Sequence, residues 1–320
     1  MNTKYIIIVL AEPNSVFSEI IAKYFVKKFK LKKKVIIVGN VNLFKAQLKK
    51  LKYKLKLNEI LNINQALNNI LNIININFKY KKIFSKISIK SNNYIENSFK
   101  KSLEIILKNP NNFILINGPV SKKTFLKKKY LGITEYLSKK TGVNDEAMLI
   151  YNNKISVSPI TTHIPLKKVS KKVSKENICK KVININNFYK YKLKKKIKFA
   201  ILGLNPHCET IDNFSEEDKI IIPSIKYLKK NKISIEGPFS ADTFFLKKNI
   251  KKFDVVIGMY HDQVLTPIKT LYNFEAINIT VGLPFVRISP DHGPNSSMLG
   301  KNESDPTSFY CAMRFAEKIF

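Results

Sequence analysis

The first forty residues narrow the choice of fold more than any other stretch. Residues 5–10 (YIIIVL) form an unbroken apolar run, and Lys34–Gly39 (KVIIVG) is a second. Between them Val16, Phe17, Ile20, Ile21, Tyr24 and Phe25 recur at helical spacing, which predicts a helix over 15–29. A β-α-β opening of this kind argues for a parallel sheet and an α/β fold. Short buried strands are predicted again at Phe113–Asn117, 198–204, 254–259 and 276–281, and at 148–151 and 155–160 around an Asn-Asn turn. Helices are predicted over 94–108 and 215–228, and from Asp305 as N-cap with Pro306 at the first position. Residues 122–140 and 167–196 are polar and helical in tendency. Residues 40–100 are dominated by Lys, Asn, Ile and Leu, and 58–78 supports no assignment.

The chain has 320 residues and a formal net charge of +34, which raises the reading of a basic nucleic-acid-binding protein. The charge does not sit in one arm. It is spread in KK and KKK groups along most of the chain, as a coding bias towards A and T would produce, and nearly all of it is Lys rather than the Arg suited to reading bases. No specific nucleic-acid partner is expected. No run approaches the ~20 apolar residues of a membrane span, so no membrane partner is expected either. Cys179, Cys208 and Cys311 have no CxxC spacing, which implies a reduced, cytoplasmic protein.

Residues 254–293 differ in composition from everything before them. They hold two of the four His, one of the two Arg, and a cluster of Gly, Pro and Asp. His163 follows the strand at 155–160, His207 the strand at 198–204, and His261 the strand at 254–259. Strand ends in one sheet converge on one edge, where ligands bind in open α/β sheets. Three imidazoles there, with an open position, form the pattern of a catalytic metal site. A structural role for each His is the competing reading, as are a salt bridge for Arg287 and a solvated surface for Lys269. Arg287, in a chain that otherwise uses Lys, points to a planar fork for a carboxylate or phosphate. There is no HExxH, GxxxxGK[ST] or GxGxxG, so metalloprotease, P-loop and Rossmann readings lack support.

The segments GPVSK, GITEYL, TTHIPL, GLNPHCE, GPFSADTFF, MYHDQVLTPIK and INITVGLPFVRISPDHG occur in this order, followed by the final helix. Together they resemble the 4-hydroxythreonine-4-phosphate dehydrogenase family of vitamin B6 biosynthesis. The resemblance covers most of the chain, weakest over 40–100. It implies a two-domain α/β/α sandwich like isocitrate and isopropylmalate dehydrogenases, with mixed sheets and a cleft between domains. The domains expected are 1–125 plus 295–320, and 126–294. It implies a homodimer with the active site at the subunit interface. It implies NAD or NADP, and one divalent metal per subunit (zinc, magnesium or cobalt) on His163, His207 and His261. Thr134, Lys269, Asn278 and Arg287 fall on substrate-binding positions. Asp242 and Asp262, with Lys269, are candidate acid–base groups, or groups that support the metal ligands. His292, Gly293 and Gly300 match an adenosine-binding loop. The reaction implied is oxidation of 4-phosphooxy-L-threonine to 2-amino-3-oxo-4-phosphooxybutyrate, which decarboxylates to 3-amino-2-oxopropyl phosphate.

This sequence departs from the family pattern in three places. Ile133 stands where the family has His, the loop 11–19 has lost the glycines of GEPAGIGPE, and Asn302 stands where the adenosine loop has Gly. A catalytically weakened member is therefore an alternative, alongside the nucleic-acid binder and a hydrolytic zinc enzyme.

Overall fold

The structure is a computed structural model that describes residues 5–27, 30–126, 129–210 and 214–319. The sequence-based expectations that touch 1–4, 28–29, 127–128 and 320 lie outside the described residues there. In chain order the elements are β1 (Tyr5–Val9), α1 (Phe17–Val26), β2 (Lys34–Gly39), α2 (Val41–Lys50), β3 (Leu57–Glu59), β4 (Leu71–Asn75), α3 (Asn92–Ile106), β5 (Phe113–Asn117) and α4 (Ile133–Thr141). Then come β6 (Ala147–Tyr151), β7 (Ser156–Thr161), α5 (Val169–Lys172), α6 (Lys175–Asn187), β8 (Phe199–Leu202), α7 (Ile222–Lys230) and β9 (Ile235–Phe239). The chain continues through α8 (Ala241–Phe244), α9 (Lys247–Ile250), β10 (Val255–Tyr260), α10 (His261–Tyr272), β11 (Ile277–Val281), β12 (Val286–Pro290) and α11 (Thr307–Lys318).

The chain divides into two compact units, Met1–Leu137 with Pro284–Phe320, and Ser138–Leu283. The sequence-based divisions fall at 125/126 and 294/295. In the first unit the sheet runs β3-β4-β2-β1-β5-β12, every neighbouring pair parallel. Ile6, Ile7, Ile8 and Val9 are all fully buried, as a parallel strand covered on both faces requires. This is why the opening apolar runs show no alternation. Helix α3 packs on β1 and β2, and α11 packs on β12. The second unit has a mixed sheet, β11-β6-β7-β10-β8-β9. β6 pairs antiparallel with β11 and β7, and β7, β10, β8 and β9 run parallel. Helices α6, α7 and α10 cover it.

Five local differences separate the structure from the sequence reading. The stretch 58–78 contains β3 and β4 because Asn72, fully buried, acts as an internal clamp: its Nδ2 donates to Val35 O and Leu67 O, each at 3.0 Å. Helix formation over 122–140 begins only at Ile133. The helices at 167–196 and 215–228 carry π turns at Phe188–Lys192 and Glu217–Ile221. Residues 286–290, for which the sequence predicts no element, form β12, so Arg287 lies on a strand. α11 begins one residue later than expected, with Pro306 at its N-cap position, and Asp305 Oδ1 accepts from Thr307 N at 2.8 Å.

Candidate active site

The second unit brings the strand ends together as the sequence predicted. β7, β10 and β8 are parallel neighbours, with Thr161 opposite Tyr260 and Ile201 opposite Ile257. His163 follows β7, His261 opens α10 directly after β10, and His207 follows β8. The His163 and His261 rings lie with centroids 5.7 Å apart, tilted by 40°. Two imidazoles on one zinc-like ion, each with a metal–nitrogen bond of about 2 Å, would have centroids about 5 Å apart, so this pair fits a shared cation. Asp262 Oδ1 sits 2.7 Å from His261 Nδ1. A carboxylate there holds the proton on Nδ1 and leaves the Nε2 lone pair for a ligand.

His207 is presented differently. It lies in the turn Pro206–Cys208 with φ 54°, followed by Cys208 at φ 61°, two successive left-handed residues without a glycine. Its side chain is 74% exposed, and its Nδ1 is 3.9 Å from Asp242 Oδ2. Ser240 donates to Asp242, and with the Thr243 amide and His207 nearby this holds the Asp242 carboxyl below its ordinary value. Among the described residues of one chain, no three His, Cys, Asp or Glu side chains are grouped closely enough to hold one ion. Within one chain His163 and His261 meet ring to ring, and His207 lies beside Asp242. Lys269 is exposed in the last turn of α10. Asn278 lies on β11, its Oδ1 buried with no hydrogen-bond partner among the described residues.

In the first unit, Arg287 is fully buried on β12. Its Nε donates to Asn117 Oδ1 at 2.7 Å, and its Nη1 donates to Thr134 Oγ1 at 3.1 Å. Two of the four expected substrate positions, Thr134 and Arg287, are thus joined directly. Burial pushes the guanidinium down to about 9, opposed by the charge of Glu135, so it stays a cation at neutral pH. Asn117 was missed by sequence reasoning; its only signal is a polar residue closing the apolar run FILIN before Gly118-Pro119. Ile133 opens α4, next to Thr134.

The loop after β12 carries the expected cofactor residues. His292 Nδ1 is 3.1 Å from Gly293 O, and burial pushes the ring below its ordinary value. The ring is therefore neutral with its proton on Nδ1. Its Nε2 is buried and without a partner among the described residues, an acceptor free for a base amine. Phe17 packs on this ring at 5.6 Å between centroids. Gly300 has φ 78°, and a Cβ there would lie 2.9 Å from the Phe84 ring. Asn302 adopts φ 63°, and its Oδ1 accepts from Tyr53 at 2.7 Å. Ala11, in the loop that lacks the family glycines, adopts φ 56°.

Residues 30–316 match the family model described as "Pyridoxal phosphate biosynthetic protein PdxA". The chain belongs to the PdxA family. A relative from Sulfurihydrogenibium sp., named 4-hydroxythreonine-4-phosphate dehydrogenase, is 37% identical over 316 residues, covering 97% of this chain and 96% of that protein. The solved 4-hydroxythreonine-4-phosphate dehydrogenase of Klebsiella pneumoniae superimposes with a TM-score of 0.84 at 24% identity, covering 98% of each chain. An isocitrate dehydrogenase from Methylococcus capsulatus shares the fold at a TM-score of 0.52 and 9% identity, covering 98% of this chain and 84% of that one. The PdxA-family chain therefore has the α/β architecture, a fold it shares with isocitrate dehydrogenase, that its motifs imply. Among the described residues, no helix is long and apolar enough to cross a membrane.

Proposed function

We propose that this chain is a metal-dependent, NAD(P)-linked 4-hydroxythreonine-4-phosphate dehydrogenase. It oxidises 4-phosphooxy-L-threonine to 2-amino-3-oxo-4-phosphooxybutyrate, which loses CO₂ to give 3-amino-2-oxopropyl phosphate in pyridoxal phosphate biosynthesis. The observation that carries this reading is the His163–His261 pair on adjacent parallel strand ends, with Asp262 on His261 Nδ1. His163, His207 and His261 would hold zinc, magnesium or cobalt, with donors shared between two copies of the chain, which makes the working form a homodimer with interface sites. The separation of His207 from the pair within one chain supports this sharing. When bound, the cation acidifies the substrate hydroxyl and polarises the resulting carbonyl.

The chain's own groups do the rest. Arg287, Thr134 and Asn278 bind the anionic and polar ends of the substrate. Lys269 is the point charge for the phosphate and the carrier of the proton returned after CO₂ leaves. Asp242 stays ionised beside His207, and Asp262 orients His261 through its contact with Nδ1. His292, with Gly293 and Gly300, would hold the adenosine of NAD or NADP, whose nicotinamide would supply the hydride acceptor. The free cysteines Cys179, Cys208 and Cys311 are consistent with a cytoplasmic enzyme.

The test is NAD(P)H production from 4-phosphooxy-L-threonine. EDTA should abolish it and added Zn²⁺, Mg²⁺ or Co²⁺ should restore it. Absence of turnover with all three metals and both cofactors would remove the proposal. A second reading, a weakened member of the family, is favoured by Ile133 and by Ala11 at φ 56°. In that case Ile133→His raises kcat/KM; an unchanged value clears that residue. The nucleic-acid reading is separated by salt, since binding through scattered Lys should vanish by about 200 mM.

A further inference from the structure

Behind the histidines of the second unit, the three strand ends are joined by one continuous set of hydrogen bonds. Thr161, two residues before His163, donates from Oγ1 to Met259 O at 2.7 Å. Met259, two residues before His261, donates its own N–H to Gln263 Oε1 at 2.7 Å. Gln263 Nε2 donates to Gly203 O at 2.7 Å, four residues before His207. The next two amides, Leu204 and Asn205, donate to Glu217 Oε1 at 2.7 and 2.9 Å. Asn205 Nδ2 and Ser215 Oγ complete that carboxylate on Oε2 at 2.8 and 3.2 Å.

The side chains replace a ladder that has ended. β8 stops at Leu202, and its register with β10 is last recorded at Ile201 opposite Ile257, while β7 and β10 stay paired to Thr161 and Tyr260. On the β10 side the His207 turn has left the strand pairing, and Gln263 and Glu217 hold it there, while the Gly203 amide still donates to Phe239 O on β9 at 3.0 Å. Gln263 can do this because one amide offers an acceptor to β10 and a donor to the β8 loop. Gly258 makes room for it: a Cβ there would lie 3.0 Å from Gln263 Oε1 and 2.4 Å from Val264 Cγ1.

We infer that Gln263 is a positioning residue, which with Thr161 and Glu217 fixes the offset between the His163–His261 pair and His207. This rests on the metal-dependent reading above. An ion shared between two copies needs that offset held, because an error in it displaces one donor set from the other.

The test uses the full-length chain, stripped of metal and titrated with Co²⁺ by visible absorption, with thermal midpoints recorded in parallel. Gln263→Leu keeps the bulk and removes both hydrogen bonds. It is expected to weaken Co²⁺ binding by about 10–100-fold and to alter the ligand-field bands. Ser156→Ala is the control. It breaks the Ser156–Tyr189 hydroxyl contact of 2.9 Å at the opposite end of β7 and should lower the midpoint while leaving Co²⁺ affinity unchanged. If Gln263→Leu does not fold, Thr161→Val, of equal size, reads the adjoining link, with an expected loss of at least about 3-fold. Co²⁺ affinity within about 2-fold of wild type in the folded variant, or an equal loss in Ser156→Ala, would overturn the inference. A wild-type chain that takes up no Co²⁺ would instead overturn the dehydrogenase reading.

Discussion

Glu12 of the first unit and Glu217 of the second are equally hidden, at 1% and 2% exposure, yet burial leaves them with opposite acidities. Glu12 accepts two long hydrogen bonds, from Asn14 N at 3.1 Å and Ser91 Oγ at 3.2 Å. Burial outweighs them and pushes its carboxyl up. Glu217 is pushed up by burial too. The Asn205 and Leu204 amides and the Asn205 side chain outweigh it, so its carboxyl is held down. What decides is the number and length of N–H donors aimed at the anion. The difference teaches where the fold uses charge as a structural element. Glu217 is a built anion in the histidine-bearing loop, whereas Glu12 is an acid that the fold tolerates beside its first strand.

Arg287 is the strongest challenge to that comparison, being a buried cation that donates to the side chains of Asn117 and Thr134. Arg287→Lys cannot reproduce the fork to Asn117 and Thr134. It should lose about 3–4 kcal/mol of stability in urea unfolding, with both partners left short of a donor. A loss below about 1 kcal/mol would show that these bonds contribute little. Glu217→Gln comes next, at about 2–3 kcal/mol lost near neutral pH. Its pH dependence is diagnostic. A carboxyl held low in the folded state contributes stability above its unfolded value and loses it as pH falls through the folded value. The gap between wild type and Glu217→Gln should therefore close on acidification below the ordinary glutamate range.

Smaller effects belong to the first unit. Ala11→Gly should stabilise the chain by about 1 kcal/mol, because an alanine at φ 56° is strained and glycine is not. A decrease in the urea midpoint would mean that Ala11 packing outweighs the strain. Glu12→Gln should change stability by less than about 0.5 kcal/mol near neutral pH, or raise it slightly. Glu12 has its folded value raised, so its contribution is present below the unfolded value and is lost as pH rises through the folded one. The wild type should thus lose ground to Glu12→Gln as pH rises, opposite in sense to Glu217.

Much of the fold was legible because parallel strands covered on both faces read as plain apolar runs. Tyr5–Val9, Lys34–Gly39 and Phe113–Asn117 announce themselves this way. β12 did not, since prolines at 284 and 290 bracket it and a charge sits in its middle. β4 did not, because Asn72 looks like a surface residue until its buried carbonyl partners are seen. At the site, the strand-end histidines were readable from chain position alone. Asp262 was readable as the neighbour of His261. Asn117, Thr161, Gln263 and Glu217 were not assigned these roles. Each acts through a backbone group or side chain distant in sequence, and no local pattern reports such a pairing.

The parallel pairing of β7, β10 and β8 has a consequence for how this sequence drifts. Their interiors are filled by apolar residues of several kinds, Val157, Ile160, Val256, Met259, Phe199 and Leu202 among them, so filling volume rather than identity is what most of these positions demand. A lineage under strong nucleotide bias can therefore rewrite most of its codons. The few letters at the strand tips cannot be rewritten in this way, because each is bound to a specific atom rather than to a volume.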